Sequence, residues 1–364
     1  NHVNIAGGVN FGTASTINGT LSINAGGFVS TNAPIYASGS TLKYNSGGTY
    51  GRGTEWSAAS AAGYPHHVQI STGTILDLGA NSGTATARQI AGNMTVDNGT
   101  TLSMALNPMT APLTVKGNYF NYGITILSSS SGGDLVLEGN LTDNATFTAN
   151  GRAIFFQGSN PQTINSSDNP LDIDVARFNK TGGEVILSQN LLIDETADPV
   201  QFAGTSILNL NGFAATFGKS NTASIITMNS TSAIKGSANS HLTIYGNGAF
   251  GTINFDQTTP GTSNQLGNLL IQRSSGSVTL GNAVSINGSL TLSSGKLIIG
   301  ANTLTLAGTV ASMNETNCLV GSSSSNLIVS GTGTLGTLYF DQTTPGTTNY
   351  LNTFNLNRTS SGTM

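Results

Sequence analysis

From Val278 the chain reads VTLGNAVSINGSLTLSSGKLIIGANTLTLAGTV, with apolar residues in pairs: Val278/Leu280, Val284/Ile286, Leu290/Leu292, Leu297/Ile299 and Leu304/Leu306. Residues two apart share one face of a strand, so each pair is a short strand that buries two side chains and exposes the one between. Gly-Asn, Asn-Gly, Ser-Gly and Gly-Ala-Asn separate the pairs. These residues accept positive φ or bond their own backbone, and so redirect the chain after every strand. No segment holds a helical apolar period free of Gly and β-branched residues. Three such strands close a coil of about 20 residues, which sets Val278 beside Leu297 and Val284 beside Leu304 in successive coils. The expected fold is therefore all-β, a parallel β-helix (β-solenoid) of short strands, with about 18 coils if the whole chain winds this way. A string of antiparallel sandwiches is the competing reading, but it calls for strands about 8 to 12 residues apart and a more aromatic core.

Superimposed on this fine period is a long one. HLTIYGNGAFGTINFDQTTPGT from His241 aligns without gaps to NLIVSGTGTLGTLYFDQTTPGT from Asn326, an offset of 326 − 241 = 85 residues. A diverged copy, FNKTGGEVILSQNLLI from Phe178, matches IQRSSGSVTLGNAVSI from Ile271. Within the repeat the octamer FDQTTPGT is the natural place to look for a site. In the diverged copy Phe156 and Pro161 keep its spacing, while Gln157 stands in place of Asp256 and Gln162 in place of Gly261. A catalytic acid does not become an amide, so the octamer reads as a scaffold corner. Phe255 and Phe340 should point inward, Pro260 and Pro345 should end strands without needing a donor, and Asp256 should lie near Arg273 on the next coil, as Asp341 near Arg358. The copies should stand about four coils apart, their Thr-rich tips free to touch a neighbouring molecule.

Regularity divides the chain into 1–110, less regular with a loop insertion near 40–70, and 111–364, a regular solenoid. Residues Ser40 to Ile70 hold the only Trp, several Tyr and two adjacent His, and read as loops projecting from the coil. Here Arg52, Glu55, Trp56, Tyr64, His66 and His67 form a candidate glycan or partner contact, since aromatic faces beside polar groups stack on sugar rings. Neighbours in a strand point to opposite faces, so His66 and His67 are poorly placed to share a metal. A second cluster, Asp172 and Asp174 with Arg177 and Lys180, has both acids facing outward and Leu171, Ile173 and Val175 inward. It fits a polysaccharide lyase or hydrolase, or a solubilising strand face.

Composition removes several functions. Charged residues are only 8% of the chain and the net charge is −4, so no basic stripe exists for nucleic acid. The single cysteine, Cys318, builds neither a disulfide framework nor a zinc site and reads as a small buried side chain. No apolar run reaches the ~18 residues that span a bilayer. No nucleophile elbow, HExxH, P-loop or dinucleotide fingerprint occurs, so no cofactor is expected.

GGDLVLEGNLTDNATFTANGRAIFFQGSNPQTI from Gly132, GSLTLSSGKLIIGANTLTLAG from Gly288 and SGSTLKYNSGGTYGRGTEW from Ser38 resemble repeat-rich secreted or surface-attached proteins of Bacteroidota, many of them exported by the type IX secretion pathway. The resemblance covers most of the chain. It implies an extracellular location, an adhesin- or filament-like role, and a segment of a longer protein. Met364 falls one position past Val278 in the preceding copy (364 − 85 = 279), at the opening of a strand, and neither end carries an evident cap, so further coils or end-to-end contact with another subunit are expected. The expected function is a stiff extracellular stalk or filament segment that self-associates. A glycan-binding adhesin module is the alternative, and a polysaccharide lyase or hydrolase a more distant one.

Overall fold

The computed structural model describes residues 2–194, 199–219 and 225–359; Met364 lies outside them. The chain is a parallel β-solenoid of about 15 turns, each of about 23 residues. The turns are fewer and longer than the expected 18 of 20, because corners carry excursions such as 57–66 and 257–264. Successive strands stack in parallel from turn to turn, which excludes the sandwich reading. The sole described helix is the single 3-10 turn Thr54–Trp56, and among the described residues no helix is long and apolar enough to cross a membrane. Contacts divide the chain into two compact units, 1–168 and 169–364.

In the first unit the longest sheet stacks Val3–Ile5, Thr20–Asn24, Thr41–Asn45, His67–Ile70, Met94–Val96, Tyr119–Asn121, Leu141–Asp143 and Gln162–Ser166. Its inward line is Val3, Leu21, Leu42, Val68, Met94, Tyr119, Leu141 and Ile164, each in register with the next. Burying side chains of this size contributes roughly 1.5–3 kcal/mol apiece. Strands on either side of residue 110 are paired, Arg88–Ile90 with Leu113–Val115.

Where strands turn, backbone N–H groups lose their partners, and amide side chains take over. His67 Nδ1 accepts the Asn93 N–H at 2.9 Å, Asn93 Oδ1 that of Asn118 at 2.9 Å, Asn118 Oδ1 that of Asn140 at 2.9 Å, and Asn140 Oδ1 that of Thr163 at 2.8 Å. The ladder thus climbs one turn per residue. Inside the same unit, Asn121 and Asp143 interrupt an otherwise apolar line. Asn121 Nδ2 donates to Asp143 Oδ1 at 2.6 Å and to the Thr146 carbonyl at 3.0 Å. Both are buried, and burial pushes the Asp143 carboxyl up to about 6.

The second unit contains the long repeat. Val278 pairs with Leu297 and Val284 with Leu304, as the spacing predicts, and all ten residues of the five apolar pairs are buried. The Ser-Ser-Gly corner after Arg273 differs from expectation. Gln265–Leu280 is one continuous strand of 16 residues whose register shifts between Gln272 and Ser277. The corner is a bulge, with Ser275 at φ 56°, so the strand bends without ending.

Each turn in the 278–340 region visits three faces. Phe255 bridges Ile234, which continues the line Val185, Leu208, Ile234. Phe340 bridges Leu319, on the line Val278, Leu297, Leu319. The 85-residue offset spans 85/23 ≈ 3.7 turns, so the two octamers lie on different faces rather than four coils apart on one.

Candidate functional site

The Arg52–Trp56 segment is an internal knot. Chain excursion 57–66 does leave the coil, but Arg52, Glu55 and Trp56 tuck beneath it, with Glu55 and Trp56 at 0% exposure. The Trp56 ring therefore has no open face for the sugar stacking expected of it, and its Nε1 donates to the Gln89 carbonyl at 3.0 Å. Arg52 is spent on four backbone carbonyls: Nε to Leu78 at 3.1 Å, Nη1 to Gly53 at 2.8 Å and Trp56 at 3.1 Å, and Nη2 to Ala80 at 3.0 Å. Glu55 Oε1 accepts from the Gly53 N–H at 2.7 Å and the Tyr44 hydroxyl at 3.1 Å, while Oε2 is buried without a partner. Burial raises the Glu55 carboxyl above its ordinary range despite those donors, and raises the Tyr36 and Tyr44 phenols with help from the Glu55 charge. Arg88 completes the cluster, lowered to about 10 by burial and then by Arg52. Tyr64 is half-buried.

An open cleft of about 410 Å³ lies in front of this knot, lined by Phe28, Val29, Tyr50, Gly51, Arg52, Gly53, Thr54, Ser57 and Asn81. Tyr50 is raised by burial and by the adjacent Glu55. Phe28 was not legible as a site residue. It is exposed because the turn after its own passes it with the Thr54–Trp56 helix instead of a covering strand.

His66 and His67 meet edge to face with centroids 4.4 Å apart, but their nitrogens are used separately. His67 Nδ1 starts the amide ladder and His66 Nε2 faces the Ser38 hydroxyl at 3.4 Å. Burial, and then the neighbouring His66, lowers the His67 pKa.

In the second unit Asp172 is exposed and Asp174 half-buried, between buried Leu171, Ile173 and Val175. Burial, Asp194 and Asp174 raise the Asp172 carboxyl, and Lys219 pairs with Asp194 at 3.2 Å. Lys180 is wholly buried, and Arg177 donates to its neighbour's carbonyl, that of Ala176, at 3.2 Å. Cys318 is wholly buried.

The two FDQTTPGT corners are self-sealed. In the first, Asp256 accepts from the Thr258 N–H at 3.1 Å and hydroxyl at 2.6 Å; Ser263 Oγ donates to the Asp256 carbonyl at 3.0 Å, and the Gly261 N–H donates to Asn264 Oδ1 at 2.7 Å. Asp341, Thr343, Thr348, Gly346 and Asn349 repeat these bonds. Phe255 is buried and Phe340 half-buried; Pro260, Pro345 and the Thr tips are exposed.

The expected Asp256–Arg273 and Asp341–Arg358 contacts do not form ion pairs. Arg273, at 0% exposure, turns onto the carbonyls of Tyr245, Asn247 and Gly248 and lies over the Phe250 ring at 5.0 Å. Burial lowers it to about 10. Asp341 pairs with Lys296 at 2.9 Å. The guanidinium is instead directed back onto main-chain carbonyls of the preceding turn, whose strand pairs in register with its own.

Comparison with protein families, with characterised proteins and with solved structures finds no match to this chain.

Proposed function

We propose that the chain is a structural element, a stiff β-solenoid stalk or filament segment that works outside the cell and associates with neighbouring subunits. The observation that carries this reading is how the polar motifs are used. The repeated acidic octamer, both repeat arginines, the Arg52–Glu55 knot and the asparagines all bond to the protein's own turns, most of them one turn away. That is the chemistry of a coil fastened to itself, with continuous backbone ladders and water-excluding apolar lines carrying load from turn to turn. The low charge and the buried lone thiol suit an extracellular setting, and export by the type IX pathway is the route the sequence resemblance suggests.

The test is electron microscopy of native material together with assay of acidic polysaccharides. Extended fibres and no turnover are expected. Isolated particles with turnover that is lost in Asp172→Ala would replace this reading with the enzyme one.

A further inference from the structure

The salt bridge between Lys235 and Glu184 spans two turns of the coil. The strand Glu184–Leu187 pairs with Ile207–Asn209, and that with Ala233–Lys235, in a register that sets Ile186 beside Asn209 and Asn209 beside Lys235. Val185, Leu208 and Ile234 are buried, so Glu184, Asn209 and Lys235, each next to one of them, stand on the outer face of the sheet. Lys235 Nζ nonetheless reaches Glu184 Oε1 at 2.8 Å. To do so it crosses the strand between them, where Asn209 stands.

Asn209 is bonded to the same carboxylate. Its Nδ2 donates to Glu184 Oε2 at 2.7 Å, and its Oδ1 accepts the Asn211 N–H at 2.9 Å. One carboxylate therefore holds the amine of one turn and the amide nitrogen of another, while a backbone N–H polarises the amide carbonyl. A plain surface ion pair has two members and little weight; this one has a third placed between them.

These are the parts of an acyl transfer. A lysine amine is a nucleophile once neutral, a carboxylate beside it takes the proton it sheds on attack, and a fixed N–H steadies the charge that builds on the carbonyl oxygen. The group that must leave, Asn209 Nδ2, already touches the carboxylate that would protonate it.

We propose that Lys235 and Asn209 join in an intramolecular isopeptide bond, with Glu184 carrying the proton between them, so that two successive turns are stapled covalently. Solvent first takes one proton from the ammonium. Lys235 Nζ then bonds to Asn209 Cγ, Glu184 takes a proton from that nitrogen and delivers one to Nδ2, the Cγ–Nδ2 bond breaks, and ammonia leaves. The balance needs no oxidant and no further reactant. The side chains of Lys235 and Glu184 are 33% and 25% exposed, which gives the ammonia a way out. The staple joins residues 235 − 209 = 26 apart, about one turn. It is independent of the stalk reading above, and either can fail alone.

The experiment is intact-mass spectrometry of the purified full chain, held folded overnight at about pH 9 and then digested with trypsin. A mass lower by one ammonia, about 17 Da, is expected, with a branched peptide that carries both Asn209 and Lys235 and is uncut after Lys235. Only the neutral amine attacks, so the loss should run faster at about pH 9 than at about pH 7. Lys235→Arg and Asn209→Ala should each keep the full mass and give no branched peptide, and Glu184→Gln should slow its formation about a hundredfold, with circular dichroism reporting that each variant is folded. Lys235→Arg also separates the staple from succinimide closure at Asn211-Gly212, which loses ammonia without a lysine. An unchanged mass in the folded parent, an ammonia loss that persists in Lys235→Arg, or a branched peptide formed equally fast in Glu184→Gln would overturn the proposal.

Discussion

Arg358 reproduces the bonding of Arg273 at a distance of 358 − 273 = 85 residues. Its Nε donates to Gly333, Nη1 to Ser330 and Nη2 to Thr332, each 85 residues beyond Gly248, Tyr245 and Asn247. The same clamp is therefore built on two different faces of the coil, wholly buried in one copy and half-exposed in the other. Removing Arg273 strands three carbonyls away from water, at about 1–3 kcal/mol each. Arg273→Met should cost about 3 kcal/mol or more in chemical denaturation, and Arg358→Met clearly less; equal losses would show that the buried clamp carries no special weight.

Asp341 has a cation that Asp256 lacks, since position 296 − 85 = 211 is Asn211. Burial alone would raise the Asp341 carboxyl, but the Thr343 and Lys296 hydrogen bonds hold it below its ordinary value. A carboxyl lowered by folding contributes stability that is present above the unfolded pKa and lost as pH falls through the folded one. Lys296→Met should cost about 1 kcal/mol at pH 7 by thermal or urea unfolding, with the difference shrinking towards pH 2.

Asp143 behaves in the opposite sense. Its folded pKa of about 6 stands above the ordinary 3.8, so its contribution is full below pH 3.8 and is lost as pH rises to about 6. Asp143→Asn keeps an amide beside Asn121 and removes the buried charge. The variant should match the parent near pH 4 and exceed it at pH 8, by at most about 3 kcal/mol. An unchanged pH profile would contradict the assignment.

His67 should make the first unit acid-sensitive. Its folded pKa is lowered, so the unfolded chain takes up protons first and stability falls as pH drops below about 6.5. Protonation of Nδ1 would also strip the Asn93 N–H of its acceptor. His67→Asn substitutes the residue used at the other rungs, and its melting temperature should change less between pH 7.5 and pH 5 than that of the parent.

The strands were legible because their signals are local: an apolar pair two residues apart and a Gly or Asn after it. That is why Val278/Leu297 and Val284/Leu304 could be paired from spacing alone. Arg273 was not legible, because its partners are carbonyls, and every residue has one. Trp56 sits in a polar, glycine-rich segment that reads as loop, and its partner is a backbone oxygen 33 residues later. Phe28 is a single aromatic whose exposure depends on what the next turn does. The placement of the octamers failed for a different reason: counting about 20 residues per coil makes 85 look like four turns, and the bulged corners that lengthen each turn carry no turn signal of their own.

The displacement of the two octamers bears on how such a chain grows. An 85-residue duplication advances the winding by eleven faces, one short of four complete circuits. Each further duplicate would swing its threonine tip one step round the axis, like treads on a spiral stair, with the fourth again above the first. Plain gene duplication would then be enough to distribute identical tips evenly around the circumference, without a single substitution to aim them.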